Sequence, residues 1–256
     1  MAHIPRKRFG QHFLTDAGIV DSIVAAINPR PADILVEIGP GLGALTLPLL
    51  ARLNHLTVIE LDRDLVAHWQ QHAQATRLTI HEGDALAFDF SRLGHALRIV
   101  GNLPYNISTP LLFHLATFAS HIRDAHFMLQ KEVVARMVAE PATADYGRLS
   151  VMLQYRFHMD ALLEVPPEAF SPPPKVDSSV VRLIPKSPTE RHAKNEGRLE
   201  QVVMQAFSQR RKMLRSTLKG LIPETTLIKL DIDPTRRAET LTLDEFVGIA
   251  NVGSDP

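Results

Sequence analysis

Ile34-Leu35-Val36-Glu37-Ile38 is a short, apolar, partly β-branched run that stops on Gly39-Pro40-Gly41-Leu42-Gly43. Such a run, bounded by glycine, predicts a buried parallel strand entering a tight turn. Working outward, similar runs recur at Leu56 to Glu60, Leu78 to His81 and Leu97 to Gly101. Helical spacing fills the intervals at Ala44 to Leu53, Leu65 to Ala73 and Thr109 to Phe118. Strands that alternate with helices predict an α/β fold, a mostly parallel sheet covered on both faces. His126 to Leu129, Leu149 to Phe157 and Ser179 to Leu183 are read as further strands, the last two as an antiparallel edge.

Between Val165 and Lys175, Pro166, Pro167, Pro172, Pro173 and Pro174 forbid helix and stiffen the backbone. After Pro188 the spacing turns helical, as in Leu199, Val202, Val203, Ala206 and Phe207. The predicted division is 1–187, an N-terminal arm with an α/β domain, and 188–256, a small helical domain. No apolar run approaches the roughly 20 residues of a membrane span, so a soluble cytoplasmic protein is expected.

The chain has no cysteine, which excludes a thiolate nucleophile and the covalent route to methylating a pyrimidine ring carbon. A methyl acceptor must therefore own a lone pair. The twelve histidines show no metal spacing: His68 and His72 share a helix face but lack a third ligand nearby, and no metal site is expected. Trp69 beside them is read as packing. Net charge is zero but unevenly spread: residues 1–8 carry +3, 9–190 carry −5, 191–219 carry +6 and 220–256 carry −4. Two basic islands on an acidic body suit a localised phosphate-binding face, with Arg6, Lys7 and Arg8 in one and Arg210, Arg211, Lys212 and Arg215 in the other. The latter four fall within about two turns of the predicted helix.

The glycine turn lies where open α/β sheets bind nucleotides, and Gly39 and Gly41 let backbone pass close to a ligand. Its spacing is G-x-G-x-G after an acid, unlike the dinucleotide pattern. Glu60 ends the next strand, where a carboxylate can accept ribose hydroxyls, while Asp62 is read as a helix cap. Asp84 in Gly83-Asp84-Ala85 can accept from an adenine amine or cap a turn. After the fourth strand comes Asn102-Leu103-Pro104-Tyr105. An adenine amine is a poor nucleophile because its lone pair is delocalised into the ring. Two acceptors, the Asn102 side-chain oxygen and the Leu103 carbonyl, can bind its N–H groups and favour a reactive, tetrahedral nitrogen. Pro104 stiffens the loop and Tyr105 offers a stacking face.

With these residues in place, the sequence resembles the ribosomal RNA adenine N6-dimethyltransferase family, on its bacterial small-subunit branch. The matching stretches are Lys7 to Leu14, Glu37 to Gly43, Glu60, Gly83 to Ala85, Val100 to Pro110, Gln130 to Val133, Phe170 to Ser178 and Phe207 to Leu214. The resemblance implies a Rossmann-like fold using S-adenosyl-L-methionine, with His12, Leu14, Gly39, Glu60, Asp84 and Asn102 contacting the donor. His12 stands where many relatives have asparagine. Phe170 matches the position that closes over the target base opposite Tyr105, although a core phenylalanine would also suit the loop. The implied partners are small-subunit ribosomal RNA and the small-subunit precursor, bound by a monomer. A large-subunit methylase of the antibiotic-resistance type is the alternative enzyme, against which stand Leu103 and Thr109-Pro110-Leu111-Leu112. A non-catalytic assembly factor would show an eroded glycine turn or Asn-x-Pro-Tyr motif, and both are intact.

Overall fold

The computed structural model describes residues 12–252. In chain order the elements are β1 (Phe13–Leu14), α1 (Ala17–Ile27), β2 (Leu35–Ile38), α2 (Thr46–Leu50), β3 (Leu56–Glu60), α3 (Arg63–Gln70), β4 (Leu78–Glu82), β5 (Leu97–Asn102), α4 (Ser108–Thr117), β6 (Ile122–Gln130), α5 (Lys131–Val138), α6 (Arg148–Arg156), β7 (Phe157–Val165), β8 (Phe170–Ser171), β9 (Ser178–Pro185), α7 (Glu196–Ala206), α8 (Leu214–Thr217), α9 (Glu224–Lys229) and α10 (Leu243–Asn251).

Seven strands form one sheet in the order β4-β3-β2-β5-β6-β9-β7. The first five are parallel, and β9 joins antiparallel to β6 with Phe127 opposite Val181. The order reverses between β2 and β5, so the carboxyl ends of β2, β3, β4 and β5 open onto a crevice at that switch point. The interior strands β3, β2, β5, β6 and β9 are mostly apolar because both faces are covered. On one face Leu35, Val58, Val100, Met128 and Val180 pack with Val20, Ile23, Val24 and Ile27 of α1 and Leu49 and Leu50 of α2. Alternate residues such as Val36, Ile59, Ile99, Phe127 and Val181 point the other way and are equally buried.

The end of the sheet opposite the crevice is closed by Arg98. Its guanidinium donates through Nε to both oxygens of Asp124 at 3.0 Å and through Nη1 to Asp33 at 2.7 Å. It also bonds the Ile27 and Asn28 carbonyls that α1 leaves unpaired at its C-terminus.

Two expectations are corrected. Of the stretch 149–157, read as a strand, residues 149–156 form α6 instead and only Phe157 is in a strand, as the first residue of β7: Gly147 caps the helix, Ser150 Oγ accepts from the Gly147 N–H, and Val151, Met152, Leu153 and Tyr155 are buried. The edge pair is β7 with β9. Arg210, Arg211 and Lys212 do not continue a helix. α7 stops at Ala206, and Lys212 N–H bonds Gln209 O in a turn. Met213 is then drawn into an extended bridge with Arg237, and only Arg215 lies on α8.

Residues 12–134 pack with 159–185 as one compact unit, and 135–158 pack with 186–252 as another. Residues 135–158, placed in the first domain by the sequence reading, thus belong to the second unit. Within it α7 and α10 lie together, Phe207 stacks near Phe246 at 5.7 Å, and Leu199, Val202, Val203, Phe246 and Ile249 form the core.

Candidate active site

The crevice is a cleft lined from four strand ends: Glu37 to Leu42 after β2, Ile59 to Asp62 after β3, Gly83 to Ala85 after β4, and Asn102 to Ile107 after β5. His12, Phe13 and Leu14 close it from the N-terminal side. It therefore gathers nine of the residues expected to act: His12, Leu14, Gly39, Gly41, Glu60, Asp84, Asn102, Leu103 and Tyr105. Phe170 is not among the lining residues. Its ring is 4% exposed and packs in the core with Leu14, Val20 and Ala169, while its backbone pairs with Leu14 across the β1–β8 ribbon. Arg6, Lys7 and Arg8 lie outside the described residues, and Arg210, Arg211, Lys212 and Arg215 belong to the second unit.

The glycine turn is held from below by Trp69, a residue that the sequence reading treated as packing alone. Its indole N–H donates to Gly41 O at 3.0 Å, and the ring is fully buried. At Gly43, φ is +95° and a Cβ would meet the Trp69 ring at 2.7 Å, so only glycine fits there. Gly101 has a different constraint: an added Cβ would lie 2.7 Å from the Ile38 carbonyl oxygen and 3.0 Å from Leu103. The absence of that carbon lets β5 approach β2 closely just before Asn102.

Two buried acids face the cleft. Glu60 accepts from the Asp62 N–H at 2.8 Å, and burial raises its carboxyl above the ordinary range against the pull of that bond. Asp62 itself caps α3 by accepting from the Asp64 N–H at 3.1 Å, as its sequence position implied. Glu37 is deeper. Burial, offset in part by the Thr46 hydroxyl and reinforced by Glu60, pushes its carboxyl up to about 8, and Oε2 is buried without a hydrogen-bond partner. Asp84 uses Oδ1 to accept from the Leu86 N–H at 2.9 Å, so it caps its turn while still lining the cleft.

On the acceptor side, Asn102 Nδ2 donates to the His12 carbonyl at 3.0 Å. That bond commits the amide nitrogen and orients Oδ1 away from the arm. The His12 ring bonds Pro172 O through Nδ1 at 2.8 Å and stacks on Tyr105 at 5.9 Å. The Leu103 N–H donates to Met128 O at 3.1 Å, which fixes the peptide whose carbonyl follows.

An orphaned acceptor, a second buried carboxyl and a close-approach glycine turn fit a ligand that is cationic and rich in N–H and O–H donors. S-adenosyl-L-methionine, with an ammonium, a sulfonium and ribose hydroxyls, meets those requirements. A doubly wound sheet with this turn and this acceptor loop defines an S-adenosylmethionine-dependent methyltransferase. Residues 2–254 match the family described as ribosomal RNA adenine dimethylase, and the chain belongs to that family. It is similar to "Ribosomal RNA small subunit methyltransferase A" of Chromobacterium violaceum, with 62% identity over 97% of this chain and 95% of the relative. The protein of that name from Dechloromonas aromatica is 59% identical over 97% and 98% of the two chains. Among solved structures, a dimethyladenosine transferase from Plasmodium falciparum superposes with a TM-score of 0.79 at 27% identity, over 93% of this chain and 96% of that one.

Glu37 yields a prediction for the protein without donor. Its folded pKa lies above the unfolded value of 4.5, so the unfolded state releases its proton first and stability falls as pH rises from about 4.5 to about 8. The loss is on the order of a few kcal/mol in all. Glu37→Gln removes the titration. Thermal unfolding between pH 5 and pH 8 should therefore show a flatter decline for the variant than for wild type, and parallel declines would contradict the assignment.

Proposed function

We propose that this chain transfers methyl groups from S-adenosyl-L-methionine to the N6 amines of two adjacent adenosines near the 3' end of small-subunit (16S) ribosomal RNA, giving N6,N6-dimethyladenosine, and acts in small-subunit biogenesis. The observation that carries this reading is the orientation of the Asn102 amide. With Nδ2 tied to His12 O, the side chain keeps Oδ1 as an acceptor in a cleft that Leu103 also lines, and Oδ1 with the Leu103 carbonyl suits the two N–H groups of an exocyclic amine. The small-subunit choice is supported by the relatives above and by Leu103 in the motif.

Bound S-adenosyl-L-methionine supplies a methyl group activated by a sulfonium leaving group. The protein's own part is positional. Asn102 Oδ1 and Leu103 O accept from the adenine amine and favour a pyramidal nitrogen with an available lone pair. Tyr105 supports the base in an extruded position. Glu60 accepts from the ribose and Asp84 from the cofactor's adenine amine through the oxygen that its turn leaves over, while Glu37, Gly39, Gly41 and Leu14 shape the rest of the donor site. His12 contributes through its main-chain carbonyl. Because the leaving group is good, alignment supplies most of the rate and no strong base is required. In this geometry Phe170 works as a core anchor for the proline loop, and the base is supported by Tyr105.

RNA is gripped by the basic turn of the second unit and the N-terminal arm. Arg210 is 68% exposed; its guanidinium bonds Ala144 O at 2.7 Å and approaches Glu239 at 3.5 Å, which holds the turn 207–212 in place. The charge is thus presented from a turn and the start of α8.

Two measurements test this. Asn102→Ala should lower the methylation rate about 10²- to 10³-fold, the cost of one preorganised hydrogen-bonding group, with donor affinity measured in parallel. Near-normal turnover would rule out the mechanism. Replacing Arg210, Arg211 and Arg215 by Ala should weaken binding to small subunits and reduce its salt dependence by up to about 0.7 to 0.9 log units per lost phosphate contact. Unchanged affinity and slope would leave these charges as solvated surface.

A further inference from the structure

Ser178 is the first residue of β9 and is wholly buried, and its Oγ lies 2.8 Å from the Tyr105 hydroxyl. It is held by the sheet: Gln130 pairs with Ser178 in the β6–β9 register, and the Lys131 N–H donates to Asp177 O at 2.9 Å one residue earlier. The other end of Tyr105 is tied as well. The Ser108 hydroxyl, buried at the start of α4, donates to the Tyr105 carbonyl at 3.0 Å. Two serines on different elements thus fix the backbone and the phenol tip of one residue.

Between those ties the ring lies against the His12 imidazole, with 25° between planes. A phenylalanine would offer the same stacking face without leaving a phenol to be satisfied in a half-buried site. Burial raises the phenol pKa, with the Ser178 bond opposing, so the hydroxyl keeps its proton and remains able to bond. The hydroxyl therefore serves to anchor the ring plane. Such anchoring matters because a displacement of about 1 Å in a positioning group can cost on the order of 10²-fold in rate.

We propose that Ser178 is a positioning residue for methyl transfer: its hydroxyl locks the Tyr105 ring in the plane on which the target adenine stacks, so that the amine meets Asn102 and Leu103. The inference rests on Tyr105 being the stacking platform.

The test is a double-mutant cycle in the full-length enzyme, using undermethylated small subunits. Initial rates give kcat and KM, calorimetry gives donor affinity, and thermal unfolding monitors folding. Ser178→Ala and Tyr105→Phe should each lower kcat roughly 5- to 20-fold, the worth of about one hydrogen bond, with KM and donor affinity unchanged. The double variant should be no slower than the slower single variant, because one bond is lost in all three. Tyr105→Ala, which removes the ring, should lose far more. If the single losses multiply in the double variant, the two hydroxyls act separately and the proposal is wrong. If Tyr105→Ala collapses while either hydroxyl variant turns over like wild type, stacking stands and the anchoring role fails. If Tyr105→Ala itself turns over normally, the stacking platform fails, and the proposal with it.

Discussion

The approach of β5 to β2 at Gly101 is the constraint from which the rest of the site follows. A single added carbon there would lie 2.7 Å from a backbone oxygen, the Ile38 carbonyl, which cannot swing aside as a side chain can. The next residue along β2 is Gly39 and the next along β5 is Asn102. The donor turn and the acceptor loop therefore diverge from one point of contact, and their separation is set by sheet geometry rather than by loop flexibility. Sites built on strand ends hold reacting groups more closely than sites built on loops alone. Both loops are then secured by side chains, the first by the Trp69 indole at Gly41 and the second by His12 at Asn102 and by Ser108 and Ser178 at Tyr105.

The electrostatics of the cleft suit a cationic ligand. Burial raises the carboxyls of Glu37 and Glu60, with Glu60 adding to the shift of Glu37 and Asp62 to that of Glu60, and the raised Glu37 costs stability near neutral pH. The positive charge sits elsewhere. Arg98 closes the far end of the sheet among Asp33, Asp124 and helix carbonyls, and the basic turn at 210–212 is in the second unit. A zero net charge conceals this separation, in which an acidic cleft and a basic turn occupy different parts of the chain.

Much of this was legible in the sequence because parallel strands leave a plain signature. The runs ending at Ile38, Glu60 and Gly101 are buried on both faces, so they read as continuous apolar segments with glycine or acid at the carboxyl end. Their ends carry Gly39, Glu60 and Asn102, Asp84 follows β4, and the cleft gathers all four. Residues 149–157 misled because Val151-Met152-Leu153 is short, apolar and partly β-branched, a pattern that strand and buried helix share. The basic run at 210–212 misled because charge spacing says nothing about where a helix stops; the Met213–Arg237 bridge, remote in sequence, decides that. Trp69, Gly101 and Ser178 act through partners 28, 63 and 73 residues away. Only tertiary contact reveals them. Phe170 carries two signals, a family position that implies contact with the base and a ring that is buried.

The central claim is that this cleft methylates exocyclic adenine nitrogen in small-subunit RNA. Its most direct test is to incubate the protein and labelled S-adenosyl-L-methionine with undermethylated small and large ribosomal subunits, digest the RNA, and map the modified base. The account predicts label as N6,N6-dimethyladenosine at two neighbouring adenosines near the 3' end of the small-subunit RNA and none in the large subunit. Label confined to large-subunit RNA, on another base, or at another atom of adenine would contradict it.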